Sequence, residues 1–585
     1  MFAKLKPLYP YMRRYWRGYA WGCLCTIAGN LIWVQFPRAI GRATGDLARG
    51  VTWHKIFGYA GLILGITIAH GIMLFWMRWI LIGISRDIEF DLRNDLFSQL
   101  EKQAASYYHE HRTGDIMARM TNDLAAVRML LGPAVMYTAN TVLFSVLALY
   151  YLLGISPFLT LTALAPMPLA SVLIQFMGRK IHDRFERIQA MFSDISAQAQ
   201  ENFSGARLVR AFGQEEAQIR AFERSNQEYI RRALRLVRLI GMLWPTLEFL
   251  LGVGMVIALL VGGHEVLTHR ISIGNFVSFT TFLMMLMWPI IALGYVVNLF
   301  ERGTASVVRI HELLIAEPAI DDRSAVIAPE QVDVRGEVEF RDLHFAYPAE
   351  KPVEVLHGIS LRIPAGSSLA LVGPTGSGKS SLVSLIPRLY DAPAGSVLID
   401  GRPIRDYPLN ALRAAIGLVP QETFLFSTSI RDNIAFGVEG ADPAAVQRAA
   451  QAAHIRDEFE LFPNAFETMV GERGLTLSGG QKQRTALARA ILRNPRILIL
   501  DDALASVDTY TEEKILQELR TVMEGRTTIL ISHRISTVRH ADRIAVLVRG
   551  RIVELGTHEE LLALGGYYAS LFQKQLLEEE LAVTG

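Results

Sequence analysis

The sequence predicts two architectures in one chain: a membrane α-helical domain of six transmembrane helices extending into the cytosol, fused to a cytoplasmic α/β domain. Three observations predict it. The 585 residues are 51% hydrophobic and only 20% charged, more apolar than a soluble chain of that length, which puts part of it in lipid. Six apolar stretches of membrane length precede residue 301. From Gly336 short apolar runs alternate with amphipathic stretches, the pattern of a mostly parallel sheet covered by helices.

The N-terminus carries Lys4, Lys6, Arg13, Arg14 and Arg17 ahead of the first apolar span, Tyr19 to about Ile40. That span is too long for a signal-peptide core and lacks a small-residue cleavage site. It reads as a retained helix with its basic flank inside, kinked at Pro37. Further spans fall at roughly 56–82, 134–154, 156–177, 238–263 and 274–300, the third and fourth joined by a tight turn near Gly154–Pro157. Six spans return the chain to the side on which it began. The expectation is a multi-pass protein of the cell (inner, cytoplasmic) membrane with both termini cytoplasmic. The loops at about 83–133 and 178–237 are long and amphipathic, with Arg86, Arg93, Arg112, Arg119 and Arg128 on one and Arg207, Arg210, Arg231, Arg232 and Arg235 on the other. Positive charge places them inside, and their length predicts that membrane helices continue into the cytosol and close in turns that dock on something. A net charge of +2 carries no basic footprint for nucleic acid. Cys23 and Cys25 form no disulfide framework or metal site and read as buried small apolar residues.

Polar residues inside the spans are candidates for function or for helix pairing. Glu248 lies mid-way along the fifth span, three residues after Pro245; a carboxylate there faces a cavity or a partner, and it is the candidate substrate residue for cationic cargo. His70 is a weaker case, Arg78 snorkels to the interface, and Asn30 and Gln35 suit hydrogen bonds between helices. Phe279, Phe282, Met284, Met285, Met287 and Trp288 form either an adaptable apolar wall or an ordinary core and lipid face.

The expected domain boundaries are 1–310 for the transmembrane domain, 311–335 for a linker, 336–574 for the α/β domain and 575–585 for a frayed acidic tail. Within the α/β domain, Gly373-Pro374-Thr375-Gly376-Ser377-Gly378-Lys379-Ser380 follows the apolar strand Ser368–Val372 and precedes a helical run from Ser381. Strand, Gly-rich loop and helix is the context a P-loop requires. The glycines let backbone N–H groups curl around a polyphosphate at the positive end of a helix. Lys379 would reach the β- and γ-phosphates and the Ser380 hydroxyl would ligate Mg²⁺. The second domain is therefore a P-loop nucleotide-binding domain, with ATP and Mg²⁺ as its expected cofactors. Asp501 and Asp502 end the apolar strand Ile497–Asp501, and Leu477-Ser478-Gly479-Gly480-Gln481 opens a helix as a second anion cradle. Gln421 and His533 each follow a strand, and Tyr347 precedes them all.

Together these residues resemble an ATP-binding-cassette domain, and six spans ahead of a cassette resembles the half-transporters of the multidrug/lipid exporter group. The resemblance implies Tyr347 stacking on adenine, Gly373–Ser380 with Ser381 beside it as Walker A, and Gln421 as the Q-loop, touching Mg²⁺ with Ser380 and Asp501. It implies Ser478–Gln481 as the signature, Asp508 as the D-loop acid, His533 as the switch histidine and Gly471–Gly474 as the X-loop. Coupling turns are implied at Thr113-Gly114-Asp115 and at Glu201–Gly205. One position departs. The family has Glu after the Walker-B Asp, and this chain has Asp502, whose carboxylate retreats by about 1 Å from the attacking water, enough to cost on the order of 10²-fold. The D-loop departs too, reading Ala505-Ser506-Val507-Asp508. The resemblance therefore implies the degenerate-site subunit of a heterodimer, whose intact signature serves the partner's site; a homodimeric flippase is the alternative. Expected partners are a second half-transporter, the lipid bilayer and a small hydrophobic or amphipathic substrate. An ATP-gated channel ranks lower, because the spans supply no ring of like charges.

Overall fold

The computed structural model describes residues 2–348, 352–471, 474, 477–507 and 509–584. It divides the chain into a helical unit, Met1–Gln99 with Gly114–Ile315, and a second unit, Leu100–Thr113 with Ala316–Gly585.

The expected spans all fall on helices. Trp16–Leu47, Trp53–Glu101, Thr113–Ile155 and Glu215–Leu267 are long and apolar enough to cross a membrane. The helix Trp53–Glu101 has 49 residues, roughly 70 Å at 1.5 Å per residue against a hydrocarbon core of about 30 Å. It therefore continues far past any bilayer. Three of the helical passes are interrupted, and proline explains each place. Helices end at Trp33, Leu164 and Met285, each four residues before Pro37, Pro168 or Pro289. A proline has no N–H for the carbonyl four residues earlier and its ring presses on that carbonyl, so the break falls there and not at the proline. The helix Glu215–Leu267 runs unbroken through Pro245.

Close packing joins Gln35–Leu47 to Ile273–Met285. A Cβ on Gly41 would lie 1.9 Å from Ser278 Oγ and 2.3 Å from the Gly274 carbonyl, so only glycine lets these backbones meet. Ser278 Oγ donates to the Pro37 carbonyl across the same crossing at 3.1 Å. Asn30 pairs between helices as expected, Nδ2 donating to Asn140 Oδ1 at 2.9 Å. Gln35 does not. Its Oε1 accepts from Arg38 Nη1 at 2.7 Å, along its own helix. His70 Nδ1 lies 3.1 Å from the Gly29 carbonyl and its ring stacks on Trp33, while Arg78 is exposed. Cys23 is exposed and not buried, as its sequence context had suggested, because it lies on the outward face of its helix. Phe279 and Phe282 are core residues, whereas Met284 and Trp288 are exposed, so the six do not form one wall. The side chain of Met287 lies outside the described residues.

The second unit holds a four-stranded antiparallel sheet, β2-β1-β4-β5, and a six-stranded sheet, β10-β9-β3-β8-β7-β6. The strands are β1 Val338–Ala346, β2 Glu354–Ile363, β3 Ser368–Val372, β4 Val397–Ile399, β5 Arg402–Pro403, β6 Ile416–Val419, β7 Ile497–Asp501, β8 Thr527–Ile531, β9 Arg543–Val548 and β10 Arg551–Gly556. In the larger sheet all neighbours are parallel except β10 on β9. Strands β7 and β8 are buried along their whole length, which is why they read as unbroken apolar runs. The expected linker is not free: its backbone N–H groups at Val326 and Ile327 bond the Asp406 carbonyl at 3.0 and 3.1 Å, and Val334 is buried in the core. Ile320 and Val334 are buried although the composition is polar, while Ile315 and Val326 stay exposed. The tail is helical as well, within Tyr567–Thr584.

Candidate functional site

In a parallel sheet, ligands bind beyond the carboxyl ends of the strands. Here β3 leads into Gly373–Ser380, β6 towards Gln421, β7 into Asp501–Asp502 and β8 towards His533. Those segments, scattered over 160 residues of sequence, line one cavity of about 280 Å³ with Thr375 through Ser381, Gln421, Asp501, Asp502 and His533 on its walls.

The phosphate loop requires its glycines. Gly373 has φ +150°, and a Cβ there would lie 2.0 Å from the Leu547 carbonyl. Gly378 has φ +100° immediately before the helix Lys379–Ser384, a conformation open to glycine. Lys379 is buried, and its Nζ donates to the carbonyls of Gly373 and Pro374 at 2.9 and 3.0 Å. Burial holds its ammonium below the usual range, while Asp501 and Asp502 pull the other way. Ser377 Oγ is buried with no hydrogen-bond partner, and a polyphosphate oxygen is the acceptor its place in the loop fits. The residues present thus suit a nucleotide polyphosphate.

Asp501 is buried, and burial pushes its carboxyl above the ordinary carboxylate range, with Asp502 adding to the shift and the Ser380 hydrogen bond, Lys379 and His533 opposing it. A carboxyl raised by folding costs stability above its ordinary range, so Asp501→Asn should raise the unfolding midpoint of the nucleotide-free protein. The same change should abolish the stabilisation that ATP with Mg²⁺ gives. Thermal unfolding in detergent checks both, and a lower midpoint for the nucleotide-free variant refutes the burial argument.

Asp502 sits in the left-handed region at φ +49°, with its N–H on the Ile531 carbonyl at 2.9 Å and its carbonyl accepting from Ala505. This backbone is fixed at both ends.

Two residues that the sequence reading missed hold the His533 turn. Buried Glu512 accepts from Thr537 Oγ1 and from the Arg534 guanidinium. Gln575 accepts from the Ile535 N–H at 2.8 Å and donates to the His533 carbonyl. Gln575 is the first residue of the expected frayed tail, so the tail begins as part of the site's support. These partners lie 22 to 42 positions apart in sequence, and no local pattern announces them.

The signature residues are elsewhere. Ser478 caps the helix Gly479–Leu492 in a reciprocal box with Gln481, whose Nε2 donates to Glu458 Oε2 at 3.0 Å. Gly480 lies against Ser506, whose N–H donates to Gln483 Oε1 at 2.9 Å. Ser478, Gly479, Gly480 and Gln481 do not line the cavity that holds Lys379. Nor does Tyr347, whose hydroxyl donates to Ser381 Oγ at 2.7 Å and whose ring meets Tyr390 edge-on at 4.9 Å. Asp508, Glu472 and Arg473 lie outside the described residues.

The segment Leu100–Thr113 belongs to the second unit. Its helix Ala105–Glu110 puts the His109 ring on Tyr390, with the Tyr390 hydroxyl 3.3 Å from His109 Nδ1. The contact thus lies a turn or more before the expected Thr113-Gly114-Asp115, where Asp115 instead pairs with Arg119 at 3.0 Å. Glu201–Gly205 closes the helix Met167–Ser204, and Phe203, Leu208 and Phe212 around that turn are exposed. Glu248 is exposed on its helix, with no hydrogen bond or ion pair among the described residues.

A helical membrane unit joined to a nucleotide cavity of this build defines an ATP-driven membrane transporter. Residues 19–290 match the family described as the ABC transporter transmembrane region and residues 356–505 that described as ABC transporter, and the chain belongs to the ABC transporters. It is 36% identical over 99% of its length to the probable multidrug resistance ABC transporter ATP-binding/permease protein YheI of Bacillus subtilis, covering 98% of that protein. It is 39% identical to the ATP-dependent lipid A-core flippase of Syntrophus aciditrophicus over 85% of this chain and 82% of that one. A solved bacterial Atm1-family ABC exporter with ATP bound superposes with a TM-score of 0.77 at 29% identity, covering 96% of this chain and 98% of that one. The chain is a multi-pass membrane protein and an ATPase coupled to transport.

Proposed function

We propose that this protein exports hydrophobic or amphipathic compounds across the cytoplasmic membrane as one half of a dimer, its cassette and both termini on the cytoplasmic side. One observation carries the dimer. The signature turn at Ser478–Gln481 stands apart from the cavity of its own chain, which leaves that cavity to be completed by the signature of a second chain. The exposed apolar turn at Phe203, Leu208 and Phe212 supports the same reading, as a surface awaiting a partner's cassette.

In the cavity Lys379 and the loop N–H groups hold the β- and γ-phosphates, and Tyr347, outside that cavity with its hydroxyl on Ser381, offers its ring to adenine. Ser380, Asp501 and Gln421 are the oxygen donors that would hold Mg²⁺, which supplies charge neutralisation between the phosphates when bound. Asp502 polarises the attacking water and His533, fixed by Glu512 and Gln575, faces it. Asp502 also makes the heterodimer the favoured assembly, with this chain's own site slow. The relatives' names set the cargo class: multidrug compounds for YheI and lipid A-core for the flippase. Glu248, without a hydrogen bond or ion pair among the described residues, is the group we assign to attracting cationic members of that class.

Two experiments test this reading. ATP should drive an amphipathic dye into inside-out vesicles that contain the protein with its partner, and absence of uptake there would refute export. In the same vesicles Tyr390→Ala and His109→Ala should leave ATPase activity within about twofold while transport falls roughly tenfold or more. Equal loss of both would make the His109–Tyr390 contact a support of the nucleotide site and not a transmitter.

A further inference from the structure

A cavity of about 930 Å³ lies wholly in the helical unit and plays no part in the nucleotide chemistry. It sits where the short connections 48–52 and 268–272 join helices, the end that the proposed orientation places outside. Its walls carry four guanidiniums, Arg38, Arg42, Arg49 and Arg270, against one carboxylate, Asp46, a formal charge of +3 with His269 neutral. Arg38, Arg42 and Arg49 recur at helical spacing, so they fall near one face of the segment that starts at Gln35.

The single carboxylate is already engaged. Asp46 Oδ2 accepts from the Tyr59 hydroxyl at 2.8 Å and lies 3.9 Å from Lys55 Nζ. Arg38 has only neutral partners, Gln35 Oε1 at 2.7 Å, the Tyr151 hydroxyl at 3.4 Å and the Tyr151 ring at 4.8 Å. The side chains of Arg42, Arg49 and Arg270 have no hydrogen bond or ion pair among the described residues. Gathering four like charges in a concave wall is unfavourable unless an anion offsets them. Guanidinium, unlike ammonium, meets two oxygens of a phosphate or carboxylate at once. Ile155, Val266 and Phe282 line the same cavity, so an apolar wall continues from the charged one. The Gly41–Gly274 crossing locks together the helices that carry or adjoin these groups.

We propose that this cavity binds the phosphate head of an amphiphile, its apolar part lying against Ile155, Val266 and Phe282. The inference deepens the export reading by naming a head-group chemistry, and it rests on that reading only for the site's role in transport. The phosphate can arrive on a bilayer lipid or as a free anion, and the measurement separates them. The full chain in zwitterionic nanodiscs is titrated without nucleotide, by native mass spectrometry, with dioleoyl phosphatidic acid, dioleoylglycerol or inorganic phosphate. Arg42→Gln with Arg49→Gln removes two exposed charges that make no contact a fold would miss; it should weaken phosphatidic acid binding about tenfold or more and leave dioleoylglycerol unchanged. Arg38→Lys keeps the charge and should still weaken it. Displacement of phosphatidic acid by millimolar inorganic phosphate assigns the site to the anion itself, and resistance to displacement assigns it to the lipid, each in keeping with the proposal. Equal phosphatidic acid affinity in the double variant and the unaltered chain, or equal binding of phosphatidic acid and dioleoylglycerol, overturns it. Because the readout is binding without ATP, failure of the chain to export amphiphiles would leave this result untouched.

Discussion

Lys379→Ala should weaken ATP binding at this chain's own Walker site by about 10- to 100-fold. The size follows from where the ammonium is held. Lys379 is buried, and two loop carbonyls, those of Gly373 and Pro374, fix its Nζ before any ligand arrives. A charge positioned in advance in a water-poor cavity acts at full strength on the bound polyphosphate. Its removal also leaves Asp501 and Asp502 without the cation that opposes their repulsion of a polyanion. Arginine should not restore function, because a planar fork cannot occupy the place of a compact ammonium between the two carbonyls. Photolabelling of this chain with an azido-ATP checks this. Unchanged labelling of Lys379→Ala would remove Lys379, and with it the assignment of the loop, from the phosphate site.

The nucleotide site was legible because its parts are local. Each of Gly373–Ser380, Asp501–Asp502 and Gln421 is announced by the apolar strand that precedes it, and the parallel sheet brings those strand ends together. What supports the site was not legible. Glu512 and Gln575 act through side chains that meet only in the folded unit, and an acidic run near the chain's end drew Gln575 into an expected frayed tail. Helix positions were legible and helix breaks less so. Pro37 was read as the kink, but the unmet carbonyl belongs to Trp33, and the break follows the carbonyl. The first coupling turn is expected at Thr113–Asp115 by likeness, and just ahead of it His109 meets Tyr390 in an aromatic pairing that sequence spacing cannot show. The cationic cavity went unread because its arginines come from two segments more than 200 residues apart.

Asp502→Asn and Ser478→Ala on this chain should act oppositely in the proposed heterodimer. On the proposed reading the carboxylate of Asp502, one methylene shorter than that of Glu, stands back from the water it would polarise, on a backbone bonded to Ile531 and Ala505. A site that already hydrolyses slowly has little to lose, and Asp502→Asn should change steady-state turnover by less than about twofold. Ser478 stands outside its own chain's cavity, at the start of a helix whose positive end is an anion cradle. If it contacts the γ-phosphate held by the partner, Ser478→Ala should lower turnover on the order of 100-fold. The variant also loses the helix cap, so Ser478→Thr, which keeps the capping hydroxyl but adds a methyl, separates folding from contact: the helix should survive and turnover should not. Asp502→Glu need not speed the chain, since its site still depends on the partner's signature. The decisive preparation is this chain alone, which should bind ATP and hydrolyse it feebly. Robust turnover there, abolished by Asp502→Asn, would make Asp502 a competent catalytic carboxylate and the assembly a homodimer.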